Sequence, residues 1–228
     1  GHLIYVPLPG GEAAVRQPWR MALVYLLQTF GAAFAELELP FVRGLDAARV
    51  RVLLQMIARG VNCPPTSSMG RLFDAAAALL GLHGEASYEG QAAIALEQVA
   101  TPVEHPYPFA LTAGQPFQLD FRPLFQAMVD DLRSGVAADQ IAGRVHATVA
   151  HGLAAACRLV REQRGLATVA LSGGVFQNRL LLEQLLALLA ADGFELLLNR
   201  RVPPNDGGLS LGQAAVAAAR LARGGVGV

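Results

Sequence analysis

The chain has 228 residues with 18 basic and 18 acidic side chains, so its formal charge is zero and it carries no electrostatic footprint for nucleic acid or an anionic membrane. At 53% apolar it can bury the core of one large domain or two small ones, yet its longest apolar runs, such as Leu185–Ala191, fall short of the roughly 20 residues a membrane span needs. Gly1–Gly11 lacks a basic region leading into an apolar stretch, and Cys63 and Cys157 stand in unlike contexts with no Cys-X-X-Cys pair. The expected setting is therefore a reducing cytoplasm with two free thiols, without a disulfide or zinc site.

In chain order, Leu3–Pro9 alternates into prolines and reads as a short edge strand. Pro9-Gly10-Gly11 turns the chain into a largely helical stretch from Ala13 to Phe34, with Pro18 tolerable in a first turn. An edge strand with no partner nearby suggests the later part of something larger. From Asp46 to Ala100 helix signals follow one another with no strand candidate. Asp46 caps a helix that Gly60 ends, and Asn62–Pro65 cannot be helical. Thr66, Ser67 and Ser68 offer caps for a helix over Met69–Leu80, and a third helix is predicted from about Ser87 to Val99.

Prolines 102, 106 and 108 mark a linker. Phe109–Thr112 and Phe117–Phe121 flank Ala113-Gly114-Gln115 in a hairpin pattern. Helices follow over Pro123–Leu132 and about Ala138–Gln163. A strand ending near Leu171 leads through a turn into a helix to Ala191; Phe194–Leu198 is a further strand, and a last helix starts at Asn205–Asp206 and runs to about Ala222. Strands alternating with helices after a hairpin predict an α/β layer with a mixed sheet and right-handed crossovers.

The stretch Thr168–Asn178 carries the strongest local pattern. A short β-branched run ends in Ser172-Gly173-Gly174, and a leucine-rich helix follows. Glycines allow positive φ and close approach of the backbone to a ligand. Asn178 occupies the N-cap position, and the free amides of that helix start suit an anion such as a phosphate. A plain β–α turn with no ligand explains the same residues equally well.

Three further polar clusters stand out. In Thr66-Ser67-Ser68-Met69-Gly70-Arg71-Leu72-Phe73-Asp74, Gly70 and Asp74 share a helix face, so a carboxylate could take two sugar hydroxyls while the glycine admits a flat ligand. The alternative is a surface Arg71–Asp74 pair. Glu89 in Tyr88-Glu89-Gly90-Gln91 is accounted for by the dipole of the helix it opens. Pro203-Pro204-Asn205-Asp206-Gly207-Gly208 forms a tight loop after a strand, where open α/β sheets bind ligands, with Asp206 either a helix cap or a metal ligand. His146 and His151, five apart, do not form a metal pair on one helix face, and all five histidines read as structural.

Together these motifs resemble a known family. Val6-Pro7-Leu8-Pro9-Gly10-Gly11-Glu12-Ala13-Ala14 with Pro18-Trp19-Arg20-Met21-Ala22 is similar to a segment of the HypF carbamoyltransferases of hydrogenase maturation. So are Thr66–Asp74, Tyr88–Ala93, Leu171–Asn178 and Pro203–Gln213, in family order and across nearly the whole chain. The resemblance implies most of a C-terminal Kae-like domain with the fold of the actin, sugar-kinase and Hsp70 nucleotide-binding (ASKHA) superfamily. It divides the chain into an N-terminal edge strand and helix (1–44), an inserted helical subdomain (45–105) and an α/β nucleotide-binding lobe (106–228).

The activity implied is transfer of a carbamoyl group from carbamoyl-adenylate, made from carbamoyl phosphate and ATP, to the C-terminal cysteine of a HypE-type partner. Gly70, Asp74 (the ribose candidate), Glu89, Gly90, Ser172, Gly173, Gly174 and Asn178 match the family's nucleotide-facing positions, and Asp206 matches an aspartate that helps hold an iron or zinc ion. The two histidines that complete such a metal site belong to an HxxxH-type motif absent from this chain. The first lobe, the acylphosphatase-like and YrdC-like segments and the zinc fingers are absent as well, so the chain reads as a fragment whose exposed apolar face could serve homo-oligomerisation. Two other roles fit the same fold: a non-catalytic docking module for the partner, or an O-carbamoyltransferase acting on a small molecule.

Overall fold

The computed structural model describes residues 1–112 and 114–222. The N-terminal stretch is two short strands, each with a partner, where one unpartnered edge strand was expected. β1 (His2–Leu3) and β2 (Val6–Pro7) precede α1 (Glu12–Arg16) and α2 (Pro18–Phe30). The helical stretch predicted from Ala13 breaks at Gln17, because the residue before a proline is pushed out of the α region; Gln17 has φ −127° and ψ 74°. A 3₁₀ turn at Gly31–Glu36 leads to α3 (Pro40–Arg43) and α4 (Ala47–Arg59). Asp46 caps α4 by accepting from Arg49 N at 2.8 Å, and Gly60 ends it in the left-handed conformation, as expected.

A two-residue strand, β3 (Pro65–Thr66), lies where no strand was expected. It pairs antiparallel with β2, Val6 opposite Thr66. Two residues flanked by prolines carry no alternation to read; the strand exists because a distant segment supplies its ladder, extended by Leu8 N to Pro64 O (2.8 Å) and Gly10 N to Asn62 O (2.7 Å). Then come α5 (Met69–Leu79), α6 (Gln91–Val99), β4 (Ala110–Thr112), β5 (Gln118–Asp120), α7 (Arg122–Arg133) and α8 (Ala138–Arg164). β4 and β5 form the predicted hairpin, though residue 113 of its loop lies outside the described residues. β1 adds to β5 in parallel, Leu3 opposite Leu119, giving a mixed three-stranded sheet. β6 (Thr168–Leu171), α9 (Arg179–Ala191) and β7 (Glu195–Leu198) form a strand–helix–strand unit whose strands pair in parallel, followed by α10 (Leu209–Ala222). The α/β content is as expected, but among the described residues β6 and β7 form their own two-stranded sheet, separate from the hairpin's.

Packing centres on α2. Its residues Met21–Leu26 are buried, and Tyr25 stacks on Phe125 of α7 with ring centroids 4.3 Å apart. Against another side lies α5, where Ala75–Ala78 are all buried. The 27-residue α8 spans about 40 Å at 1.5 Å per residue. Most of its residues from Ile141 to Ala154 are buried, and it packs against α6, α7 and α9. One contiguous core runs from Leu3 to Phe194. The linker across 101–107 is bound onto α8: Thr101 N donates to Asp139 O, Tyr107 N to Thr148 Oγ1 (2.7 Å) and Tyr107 OH to Asp131 Oδ2 (2.6 Å).

Candidate functional site

The turn from Ser172 to Asn178 is built as the sequence predicts on one side and differently on the other. Gly173 has φ 112°, a backbone conformation that disfavours any residue with a Cβ, and its N–H donates to Pro204 O at 2.7 Å. Ser172 Oγ lies 3.4 Å from the same carbonyl and 3.4 Å from Asn199 Nδ2. The turn is thereby tied to the Pro203–Gly208 loop. Asn178 caps α9, its Oδ1 accepting from Leu181 N at 2.8 Å.

The expected free amides of α9 are not free. Arg179 N (2.6 Å) and Leu180 N (3.2 Å) both donate to Glu97 Oε1, a carboxylate reaching over from α6. Leu181 N is held by Asn178, so the helix start is neutralised from within and is not an anion site. Glu97 was invisible to sequence reasoning because it lies 82 positions from Arg179. The amides of Gly174 and Val175, by contrast, meet no acceptor among the described residues. An added Cβ at Gly174 would meet nothing nearer than Asn205 Cβ at 3.8 Å.

A cleft of about 850 Å³ opens between this turn, the 203–208 loop and α10; Ser172, Gly173, Asn199, Asn205 and Asp206 contribute its polar wall. Gly70, Asp74, Glu89 and Gly90 do not line it. They belong to a second group, on α5 and in the turn that leads into α6, joined to the first through α8. His146 of α8, fully buried, approaches Asn178 Nδ2 with Nε2 at 2.9 Å, and its ring lies 5.0 Å from that of Phe73, the neighbour of Asp74. His146, which reads as structural in the sequence, thus bridges the two halves.

Asp74 and Arg71 form a buried pair, not the surface pair weighed from sequence, with side-chain exposures of 3% and 8%. Arg71 Nη2 comes within 3.0 Å of Asp74 Oδ2, but the approach is not aligned as a hydrogen bond, and Oδ2 and Arg71 Nη1 are both left without a hydrogen-bond partner among the described residues. Burial therefore outweighs the attraction. It pushes the Asp74 carboxyl up to about 6, with Arg71 opposing and the charge of Glu89 adding to the rise. At Gly70 an added Cβ would make only an ordinary 3.6 Å contact with Ser68 Oγ, so the fold itself does not demand glycine there.

α6 begins at Gln91, later than predicted, with Gly90 at φ 83° as its N-cap. Glu89 is left exposed in the preceding turn, and Gln91 reaches back to accept from Ser87 N at 2.7 Å. In the other loop the cap is Asn205, which accepts from Gly207 N at 3.0 Å, and Asp206 is the exposed first residue of a single 3₁₀ turn. Among the described residues no group of three His, Cys, Asp or Glu side chains could hold a metal ion. One exposed carboxylate does not fit an iron or zinc site.

Residues 1–213 match the family model described as "Carbamoyltransferase, Kae1-like Domain, second subdomain". Carbamoyltransferase HypF of Rhodobacter capsulatus is 42% identical over 94% of this chain, and carbamoyltransferase HypF2 of Cupriavidus necator is 37% identical over 96%. The chain spans only 27% and 30% of those two proteins. A solved full-length HypF in its phosphate- and nucleotide-bound form superimposes with a TM-score of 0.89 at 38% identity, covering 95% of this chain and 28% of that one. The T. kodakarensis HypF structure gives 0.78 at 27% identity. Matched over most of its length by a subdomain model and by whole-protein relatives alike, the chain belongs to the HypF carbamoyltransferase family and corresponds to the second subdomain of its Kae1-like domain.

Proposed function

We propose that this chain forms one side of a nucleotide cleft in which carbamoyl-adenylate, made from carbamoyl phosphate and ATP, gives up its carbamoyl group to the C-terminal cysteine of a HypE-type partner. The observation that carries the reading is Asp74: a buried carboxylate with an oxygen that lacks an aligned donor, on the helix joined through His146 to the Ser172–Asn178 turn. Buried acceptors of this kind are costly unless something donates to them, and two ribose hydroxyls are suitable donors. Gly70 and Gly174 lack side chains where the fold leaves room for a Cβ, which suits close approach by a ligand. Glu89 and Gly90 stand ahead of α6 on the same side as Asp74, and the Gly174 and Val175 amides are available to phosphate oxygens.

In the transfer, the partner's thiolate sulfur attacks the carbamoyl carbon, a C–S bond forms and the bond from that carbon to the phosphate oxygen breaks, releasing AMP. This chain's share is to hold the adenylate and stabilise the leaving phosphate by fixed amides. The test is to put the chain in place of the matching segment of the Rhodobacter capsulatus relative and supply labelled carbamoyl phosphate, ATP and the partner. Label on the partner's terminal cysteine is expected, and none after that cysteine is alkylated. A folded chimera that binds nucleotide yet never labels the partner would favour the docking-module reading instead.

A further inference from the structure

His146 sits mid-helix in α8 with no exposed surface, yet both of its ring nitrogens make polar contacts. Nδ1 lies 2.7 Å from Ala142 O, one turn back, and Nε2 lies 2.9 Å from Asn178 Nδ2. A carbonyl oxygen only accepts, so Nδ1 carries the proton and Nε2 presents a lone pair. Burial lowers the ring's affinity for a second proton, against the smaller raising effects of the Ala142 contact and Glu97.

The consequence falls on Asn178. Its Nδ2 donates to His146 while its Oδ1 accepts from Leu181 N. Rotating the amide by half a turn would set oxygen against the Nε2 lone pair and NH₂ against the Leu181 N–H, two repulsive contacts in place of two bonds. The neutral ring therefore selects one of two amide orientations. Asn178 in turn joins the Ser172–Asn178 turn to α9, while Phe73, packed on the same ring, precedes Asp74.

We infer that His146 is a positioning residue for the nucleotide-facing turn, its Nδ1-protonated ring locking the Asn178 amide and so the joint between turn and helix. This rests on the reading of that turn given above. An ordinary core histidine would contribute packing alone, and three variants separate the two. His146→Gln keeps an acceptor where Nε2 stands; His146→Asn keeps a polar group only near Nδ1; His146→Phe keeps the ring's bulk.

Two readouts apply to each: solvent exchange of the Asn178 side-chain amide protons by NMR, and AMP binding by calorimetry. In His146→Gln the amide protons are expected to stay protected and AMP affinity to stay close to that of the unsubstituted chain. In His146→Asn and His146→Phe protection is lost and affinity falls roughly tenfold, the worth of one buried hydrogen bond. Equal protection in the Gln and Asn variants would overturn the inference, as would affinities that follow melting temperature regardless of which nitrogen is mimicked. An unsubstituted chain that binds no AMP would instead overturn the nucleotide reading, and the exchange comparison, which needs no ligand, then decides alone whether His146 orients Asn178.

Discussion

Asp74→Ala is expected to cost about 3–5 kcal/mol of folding stability, because it leaves Arg71 buried without its counter-charge. Asp74→Asn keeps an oxygen facing Arg71 and should cost far less. Urea denaturation of the three proteins checks this, and equal midpoints for the Ala and Asn variants would mean that Arg71 finds another partner. The same burial leaves a pH signature. The folded carboxyl titrates near 6 against an ordinary 3.8, so the stability it contributes is complete below about pH 4 and is lost as pH rises through 6. The stability of the unsubstituted chain relative to Asp74→Asn should therefore fall by about 2–3 kcal/mol between pH 4 and 7. A flat difference across that range would show that ordinary carboxylate solvation survives at Asp74.

Gly143→Ala is expected to be as damaging for a different reason. Gly143 is buried on α8 directly under the linker, and an added Cβ would overlap the carbonyl oxygen of Thr101. That oxygen is backbone, and its residue is pinned by Thr101 N to Asp139 O (3.1 Å) and Thr101 Oγ1 to Asp139 Oδ2 (2.9 Å), so it cannot simply step aside. The linker must peel from α8, with a loss of about 3 kcal/mol or more. Gly152→Ala is the milder comparison: there the Cβ would meet the buried Phe121 ring at 2.7 Å, so a core side chain has to shift but no pinned backbone does. Thermal melting should rank Gly143→Ala well below Gly152→Ala; the reverse order would contradict the placement of the linker.

Much of this structure is written locally. The caps Asp46 and Asn178, the stop at Gly60 and the hairpin over 110–120 each rest on residues within a few positions of one another, so the patterns that predict them are also the forces that make them. What was hidden depends on distant partners. β3 is two residues long and exists because Val6–Pro7 pairs with it. The first amides of α9 look free in sequence and are taken by Glu97. Arg71 and Asp74 at i, i+3 read as a surface pair because nothing local reveals that α5 is buried against α2. His146 fits the apolar face of α8 as any buried residue would; only the fold shows that its second nitrogen reaches Asn178. The motif residues were legible as a set through family resemblance, while their division between a loop-lined cleft and the α5–α6 group was not.

The central claim is that Asp74 and the Ser172–Asn178 turn face one nucleotide. Calorimetric titration of the chain with AMP, beside Asp74→Asn at pH 7, tests it most directly, since the Asn variant keeps Arg71 a partner. Saturable binding that weakens roughly ten- to hundredfold in the variant, the worth of a hydrogen bond to a charged group, is the result expected. Binding of equal strength in the two proteins, or none in either, would contradict it.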